Sequence, residues 1–225
     1  MKSSCAQLVS AGFALSVLAP AANAVQDVDS QGWFQQTFNR KDAKGWRYFG
    51  ELQQRIGESW ERPTIFLARG AIGKQLSPDF SFWLGYAWTP AQFPSWKSED
   101  RYFLQGQWEG KAGSWNTIQR TRLEFRNIAG TFGTTYRLRH FVRGSVPFKS
   151  GSPNYVAIQL EAFYNVGSSG GIGPRAGYDQ TRFFAGVGTN LSKSFRIEAG
   201  YQPVWVEIPR HRRLDTLLVS ANLNF

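Results

Sequence analysis

One cysteine, one methionine and two histidines are all that 225 residues hold of those types. Cys5 lies in an N-terminal stretch with the marks of a removable export signal, so the working chain is expected to carry no thiol. Disulfide scaffolds, cysteine-ligated zinc, iron–sulfur clusters and cysteine nucleophiles are excluded on that count. Long hydrophobic runs are missing as well. Beyond the N-terminal stretch nothing approaches the ~18 consecutive apolar residues of a membrane-spanning helix. Acidic residues are scarce beside basic ones, 16 Asp and Glu against 26 Lys and Arg, for a formal charge of +10. Taken alone, that surplus invites nucleic acid, anionic lipid or an acidic ligand.

Residues 1–24 read as a secretory signal. Lys2 supplies a positive start, the apolar run Leu8 to Ala19 is too short to span a membrane, and Ala22-Asn23-Ala24 is a small-x-small cleavage site. Cys5 precedes the apolar run instead of following it, which argues against a lipoprotein signal. An exported chain puts its basic surplus outside the cytoplasm, so no nucleic-acid partner is expected.

What the chain does have is alternation. Val156, Ile158, Leu160, Ala162 and Tyr164 interleave with Ala157, Gln159, Glu161 and Phe163. Trp115, Thr117, Thr121, Leu123 and Phe125 oppose Asn116, Arg120, Arg122, Glu124 and Arg126, and Phe195, Ile197, Ala199 and Tyr201 oppose Arg196, Glu198, Gly200 and Gln202. A period of two sustained this long marks half-buried strands. They run about twice the ~5–6 residues usual in soluble sheets, the length a tilted strand needs to cross a hydrocarbon core.

Pattern and breakers predict ten strands, near 46–56, 63–75, 79–88, 100–110, 115–128, 133–145, 154–166, 179–190, 194–206 and 213–225. Short polar turns near Ser77-Pro78, Lys111-Ala112-Gly113 and Ser192-Lys193 alternate with longer connections near 57–62, 89–99, 167–178 and 207–212. That alternation is the habit of an up-and-down antiparallel transmembrane β-barrel, an all-β fold. The connection 146–153, with Pro147, Lys149, Gly151 and Pro153, is long for the short-turn side where it falls. Gly32 to Arg40 alternates weakly and is either an extra strand or a segment tucked at the periplasmic mouth. Even strand counts in bacterial barrels favour ten, with twelve in reserve. The expected organisation is a signal over 1–24, an N-terminal periplasmic segment or extra strand over 25–45, and the barrel over 46–225. The glycine-rich stretch Gly167 to Gly177 lacks a Lys-Ser/Thr ending and a following helix, so it reads as a loop and not as a phosphate cradle.

The chain ends with Leu217, Val219, Ala221, Leu223 and Phe225 on one face. A last barrel strand needs such a lipid face, and a terminal ring suits the membrane interface. The pattern resembles the signal read by the outer-membrane barrel-assembly machinery. Trp88, Trp108, Trp115 and Trp205 fall near predicted strand ends, as interfacial girdles require.

If the apolar faces meet lipid, the opposite faces line a lumen. They carry Arg47, Glu51 and Arg55, then Arg101 and Glu109, then Arg120, Arg122, Glu124 and Arg126. Arg137, Arg139, Arg143, Glu161, Arg182, Arg196 and Glu198 complete the set, eleven arginines against five glutamates. In a narrow bore such charges must pair or stay wet. Two readings follow: a rigidifying salt-bridge network, or a constriction whose surplus arginine favours anions. Arg210-His211-Arg212-Arg213, on a predicted outer loop, is either a solvated charge run or a contact for lipopolysaccharide phosphates.

Enzymatic chemistry has little to work with. His140 alternates with Tyr136, Leu138 and Val142 on the lipid side, and His211 sits among three arginines with only Glu207 and Asp215 near it in sequence. No catalytic residue, metal ligand set or cofactor is expected. The alternatives to a small channel or structural envelope protein are a barrel enzyme acting on lipids and a soluble periplasmic barrel binding an apolar ligand.

Three stretches carry a family likeness. Trp46 to Arg55 has the form W-x-Y-x-x-E-x-Q-x-R; Arg120-Thr121-Arg122-Leu123-Glu124-Phe125-Arg126 is followed by Tyr136-Arg137-Leu138-Arg139; and Arg182 leads through Gly186 and Gly188 to Gly200-Tyr201. In that order they resemble the bacterial outer-membrane barrel family known as domain of unknown function 2490, over nearly the whole exported chain. The resemblance implies an outer-membrane β-barrel. It implies no activity, since the family has none assigned.

Overall fold

The structure, a computed structural model, describes residues 27–92, 95–168, 170–171, 173–207 and 211–225. The expected signal with Cys5, and Arg210 of the basic run, lie outside these. The described residues contain no helix. They form eleven long strands: β1 (Val28–Lys41), β2 (Trp46–Gly57), β3 (Arg62–Gln75), β4 (Phe80–Trp88), β7 (Glu99–Ala112), β8 (Trp115–Ile128), β10 (Thr135–Pro147), β11 (Asn154–Asn165), β13 (Gly177–Asn190), β14 (Phe195–Val206) and β15 (Arg212–Asn224). Short pieces β5 (Ala91–Gln92), β6 (Trp96–Lys97), β9 (Thr131–Phe132) and β12 (Gly170–Gly171) belong to connections on one rim.

Each long strand pairs antiparallel with the next, and β1 returns to β15, so the sheet closes on itself. Closure removes the unpaired edges that an open sheet would expose. The expected count of ten, or twelve, is therefore corrected to eleven. The additional strand is β1, which covers the weakly alternating run Gly32 to Arg40. Its pattern is weak for visible reasons. Ser30, Gly32 and Gln36 dilute its outward face, while Trp33 occupies the inward one. Gly32 stays bare because the ring of Trp60 lies over it: a Cβ there would come within 2.2 Å of the indole.

An odd number of alternating strands leaves the first and last pointing the same way. β1 and β15 accordingly pair in parallel, from Val28 beside Arg213 to Asn39 beside Asn224. The other ten strands start and stop within two residues of the expected limits. One rim carries the turns 42–45, 76–79, 113–114, 148–153 and 191–194, and the other carries the longer connections and the start of β1. On the long-loop rim β5 and β6 form a small hairpin against β3, and β9 pairs with β12 to tie two connections together.

The wall is inverted relative to a soluble barrel. Phe38, Leu52, Ile72, Leu84, Leu104, Leu138, Ile158, Val187, Ile197 and Leu217 are exposed, whereas Glu51, Glu99, Glu124, Arg122, Arg137, Arg139 and Glu198 are buried. On the described strands, outward Lys, Arg, Asp and Glu fall near the rims, at Arg40, Lys74, Asp100, Arg213 and Asp215. Asp100 and Asp215 accept hydrogen bonds there from Tyr86 and Tyr201. Bulges at Arg55/Ile56 and Phe163/Tyr164 fall near the long-loop rim, where they re-aim side chains into the bore. Between β13 and β14, Gly186 faces Gly200; a Cβ on Gly200 would sit 2.4 Å from the Ala185 carbonyl oxygen, so only glycine permits this close approach.

Candidate functional site

Alternation decides what the bore contains, and register decides who meets whom. Glu124 of β8 stands opposite Arg137 of β10 and Phe103 of β7; Arg122 stands opposite Arg139 and Gln105. Across β10 and β11, Arg139 meets Phe163 and Phe141 meets Glu161. The side chains assemble into two layers.

The layer toward the long loops is packed shut. Arg137 donates to Glu124 through Nε at 2.9 Å and Nη2 at 2.7 Å, and Arg139 Nη1 donates to the other oxygen of Glu124 at 2.5 Å. Arg139 Nη2 continues to Glu161 at 2.7 Å, which also lies 3.3 Å from Arg120 and 4.0 Å from Arg182. Arg137 Nη1 reaches Asp179 at 3.2 Å. Glu99 accepts from both Arg101, at 2.6 and 2.8 Å, and Arg126, at 2.5 and 3.2 Å. Guanidinium groups sandwich the aromatics: Arg137, Arg139 and Arg182 approach the Phe163 ring, and Arg55 lies 3.6 Å from the Trp33 centroid. Trp33, Glu124 and Phe163 are each 1% exposed, which is close packing and not a water-filled channel.

The layer toward the short turns encloses a cavity of about 360 Å3. Two of its ion pairs reach across the bore instead of along the wall. Arg47 on β2 meets Glu109 on β7 at 2.7 Å, and Arg143 on β10 meets Glu198 on β14 at 2.5 and 3.0 Å. Arg69 holds Glu51 at 2.8 Å across neighbouring strands. Arg122 gives Nε and Nη2 to Gln105 Oε1, at 3.0 and 2.6 Å. Arg55 donates to Gln53, and among the described residues neither Arg55 nor Arg196 has an ion-pair partner within 4.0 Å.

All the sequence-expected lumen residues, Arg47, Glu51, Arg55, Arg101, Glu109, Arg120, Arg122, Glu124, Arg126, Arg137, Arg139, Arg143, Glu161, Arg182, Arg196 and Glu198, sit on inward positions. Sequence reasoning missed Arg69, Glu99, Asp29 and Asp179. Arg69 follows Ile65-Phe66-Leu67-Ala68, a run apolar on both faces because Leu67 is buried in the bore. Matching β3 against Glu51 of β2 would have exposed it. Glu99 fell one residue outside the expected strand. Asp29 lies on β1 ahead of the weakly alternating run Gly32 to Arg40, and its carboxylate accepts from Gln31 Nε2 at 2.6 Å and from the amides of Glu58 and Ser59 at 3.2 and 2.8 Å. Those amides belong to a run of three left-handed residues, Glu58, Ser59 and Trp60, at φ of 52°, 57° and 72°.

The terminal residues Leu217, Val219, Ala221 and Leu223 lie outward on β15, and Phe225 extends past it, its amide donating to Asn39 O at 2.9 Å. In the basic run, Arg212 is tied to Asp27 and Asp29, and Arg213 to Asp215. His211 Nδ1 lies 2.7 Å from Glu207, an orienting carboxylate, but among the described residues no hydroxyl hydrogen-bonds to it. His140 faces outward against Thr121 Oγ1 at 2.9 Å. Among the described residues no group of three or more His, Cys, Asp or Glu is placed to hold a metal.

Residues 30–214 match the model of the family described as protein of unknown function (DUF2490). An uncharacterised protein of Methylorubrum extorquens is 26% identical over 157 residues, covering 68% of this chain and 69% of its own. No solved structure matches. The family match runs from the early part of β1 to the start of β15 and takes in both layers of the lumen, and the chain belongs to this family of unknown function.

Proposed function

We propose that the protein is an outer-membrane β-barrel whose lumen is occluded at rest, a structural component of the envelope before it is an open pore. The observation that carries this is the combination of an inverted wall with the buried Arg137–Glu124–Arg139–Glu161 chain, which links three neighbouring strands inside a close-packed bore. Strands of 9 to 14 residues suit a tilted crossing of the hydrocarbon layer. In the orientation usual for such barrels the short turns face the periplasm and the long loops face outward. Leu217 to Phe225 then present the face that the barrel-assembly machinery reads, and the exposed His211 and half-buried Arg213 stand where lipopolysaccharide begins.

Surplus arginine supports a second, conditional role: whatever passes the closed layer should be anionic. An apolar ligand fits poorly, because the cavity lining is dominated by Arg, Gln, Glu and Asn. Heat-modifiable gel mobility of the outer-membrane fraction tests residence, and migration independent of boiling together with periplasmic recovery would overturn it. Planar-bilayer recording tests occlusion. Silent or rare, anion-selective events are expected; large, steady, unselective steps would overturn it.

A further inference from the structure

The short-turn cavity is lined by nine arginines and only four glutamates, so its walls are far from electrically balanced. The imbalance has an atomic focus. Arg122 is 3% exposed, yet its Nη1 has no hydrogen-bond partner. The nearest carboxylate oxygen is that of Glu124 at 3.7 Å, and that oxygen already accepts from Arg139. Nε of Arg69, on the same cavity, is likewise buried and unpartnered. Arg69, Arg120 and Arg139 all bring like charge to bear on Arg122. A buried guanidinium N–H left without an acceptor is costly, and cations gathered in this way call for a counter-ion.

We propose that this cavity binds a small free oxyanion of the phosphate class, seated on Arg122 with Arg69 and Arg120 beside it and entering past Arg196 from the short-turn rim. The planar guanidinium fork matches two oxygens of such an anion, which a spherical halide does not offer. The closed layer beyond it makes the cavity a blind vestibule, so the ligand returns by the way it came. The proposal deepens the reading of an occluded arginine-rich lumen, and it needs the membrane only to define the side of entry.

The test uses full-length exported protein refolded in detergent, first checked for heat-modifiable mobility, with inorganic phosphate titrated against chloride at constant ionic strength. Saturable calorimetric binding and a thermal midpoint that rises with phosphate but not with chloride are expected. Arg122→Met should weaken binding at least tenfold while mobility stays heat-modifiable. If Arg122→Met does not fold, Arg122→Lys retains the charge without the fork and should still lose most of the affinity. Absence of saturable binding to the folded barrel, or wild-type affinity in the folded variant, overturns the proposal. A response to short-chain phosphatidic acid but not to inorganic phosphate overturns the free-anion form and assigns the site to a lipid headgroup. Loss of heat-modifiable mobility in the wild type would count against the membrane-barrel reading instead, so the two failures are distinct.

Discussion

Glu124 holds Arg137 in a two-point ion pair inside the bore, with the carboxylate only 1% exposed and the guanidinium side chain 5% exposed. Because Arg139 uses the same carboxylate, Glu124→Gln would leave two buried cations short of charge. Breaking a buried pair from one side costs about 3–5 kcal/mol. Urea unfolding of the barrel in lipid vesicles, followed by tryptophan fluorescence, should show a loss of that order, and Glu124→Gln combined with Arg137→Gln should recover part of it. In bilayers the single variant is expected to raise the frequency of anion-selective openings.

Leu84 lies at the middle of β4 with 52% of its surface exposed. Leu84→Arg places a charge near the centre of the proposed lipid face and should cost about 2–4 kcal/mol in vesicle unfolding. An unchanged unfolding curve would mean that this face meets water.

The left-handed run Glu58, Ser59 and Trp60 is strained for residues with side chains, and the Asp29 carboxylate holds two of its amides. Asp29→Ala should release the connection while the wall remains closed. Faster proteolytic nicking between β2 and β3, with heat-modifiable mobility retained, is the expected result.

Phe225 ties its backbone to Asn39 but exposes 73% of its surface. Phe225→Ala keeps that amide bond and removes only the ring. Assembly in cells should fall while refolding of purified protein proceeds at the wild-type rate; an equal defect in both would make the ring a matter of stability.

The strands of the wall were legible wherever one face was apolar and the other charged, as on β8, where Leu123 and Phe125 alternate with Arg122, Glu124 and Arg126. The period of two also told which arginines point inward. Legibility failed where packing reversed the polarity. Trp33 and Leu218 are aromatic or aliphatic residues on the inward face, and they blur the alternation of β1 and β15. Nor does alternation say which charges meet. Arg47 with Glu109, and Arg143 with Glu198, are set by the curvature of a closed ring, which brings strands far apart in the sheet within reach of each other.

The parallel seam has a consequence for export. Asp27 stands at the long-loop rim, tied there through Arg212, whereas Phe225 ends at the opposite one. In the proposed orientation a tag joined just ahead of Asp27 is delivered to the cell exterior, so whatever carries that end must haul it across the bilayer during assembly. Without β1, the meeting strands β2 and β15 would run antiparallel and both chain ends would stay in the periplasm. Antibody staining of intact cells for such a tag therefore reads the parity of the barrel directly.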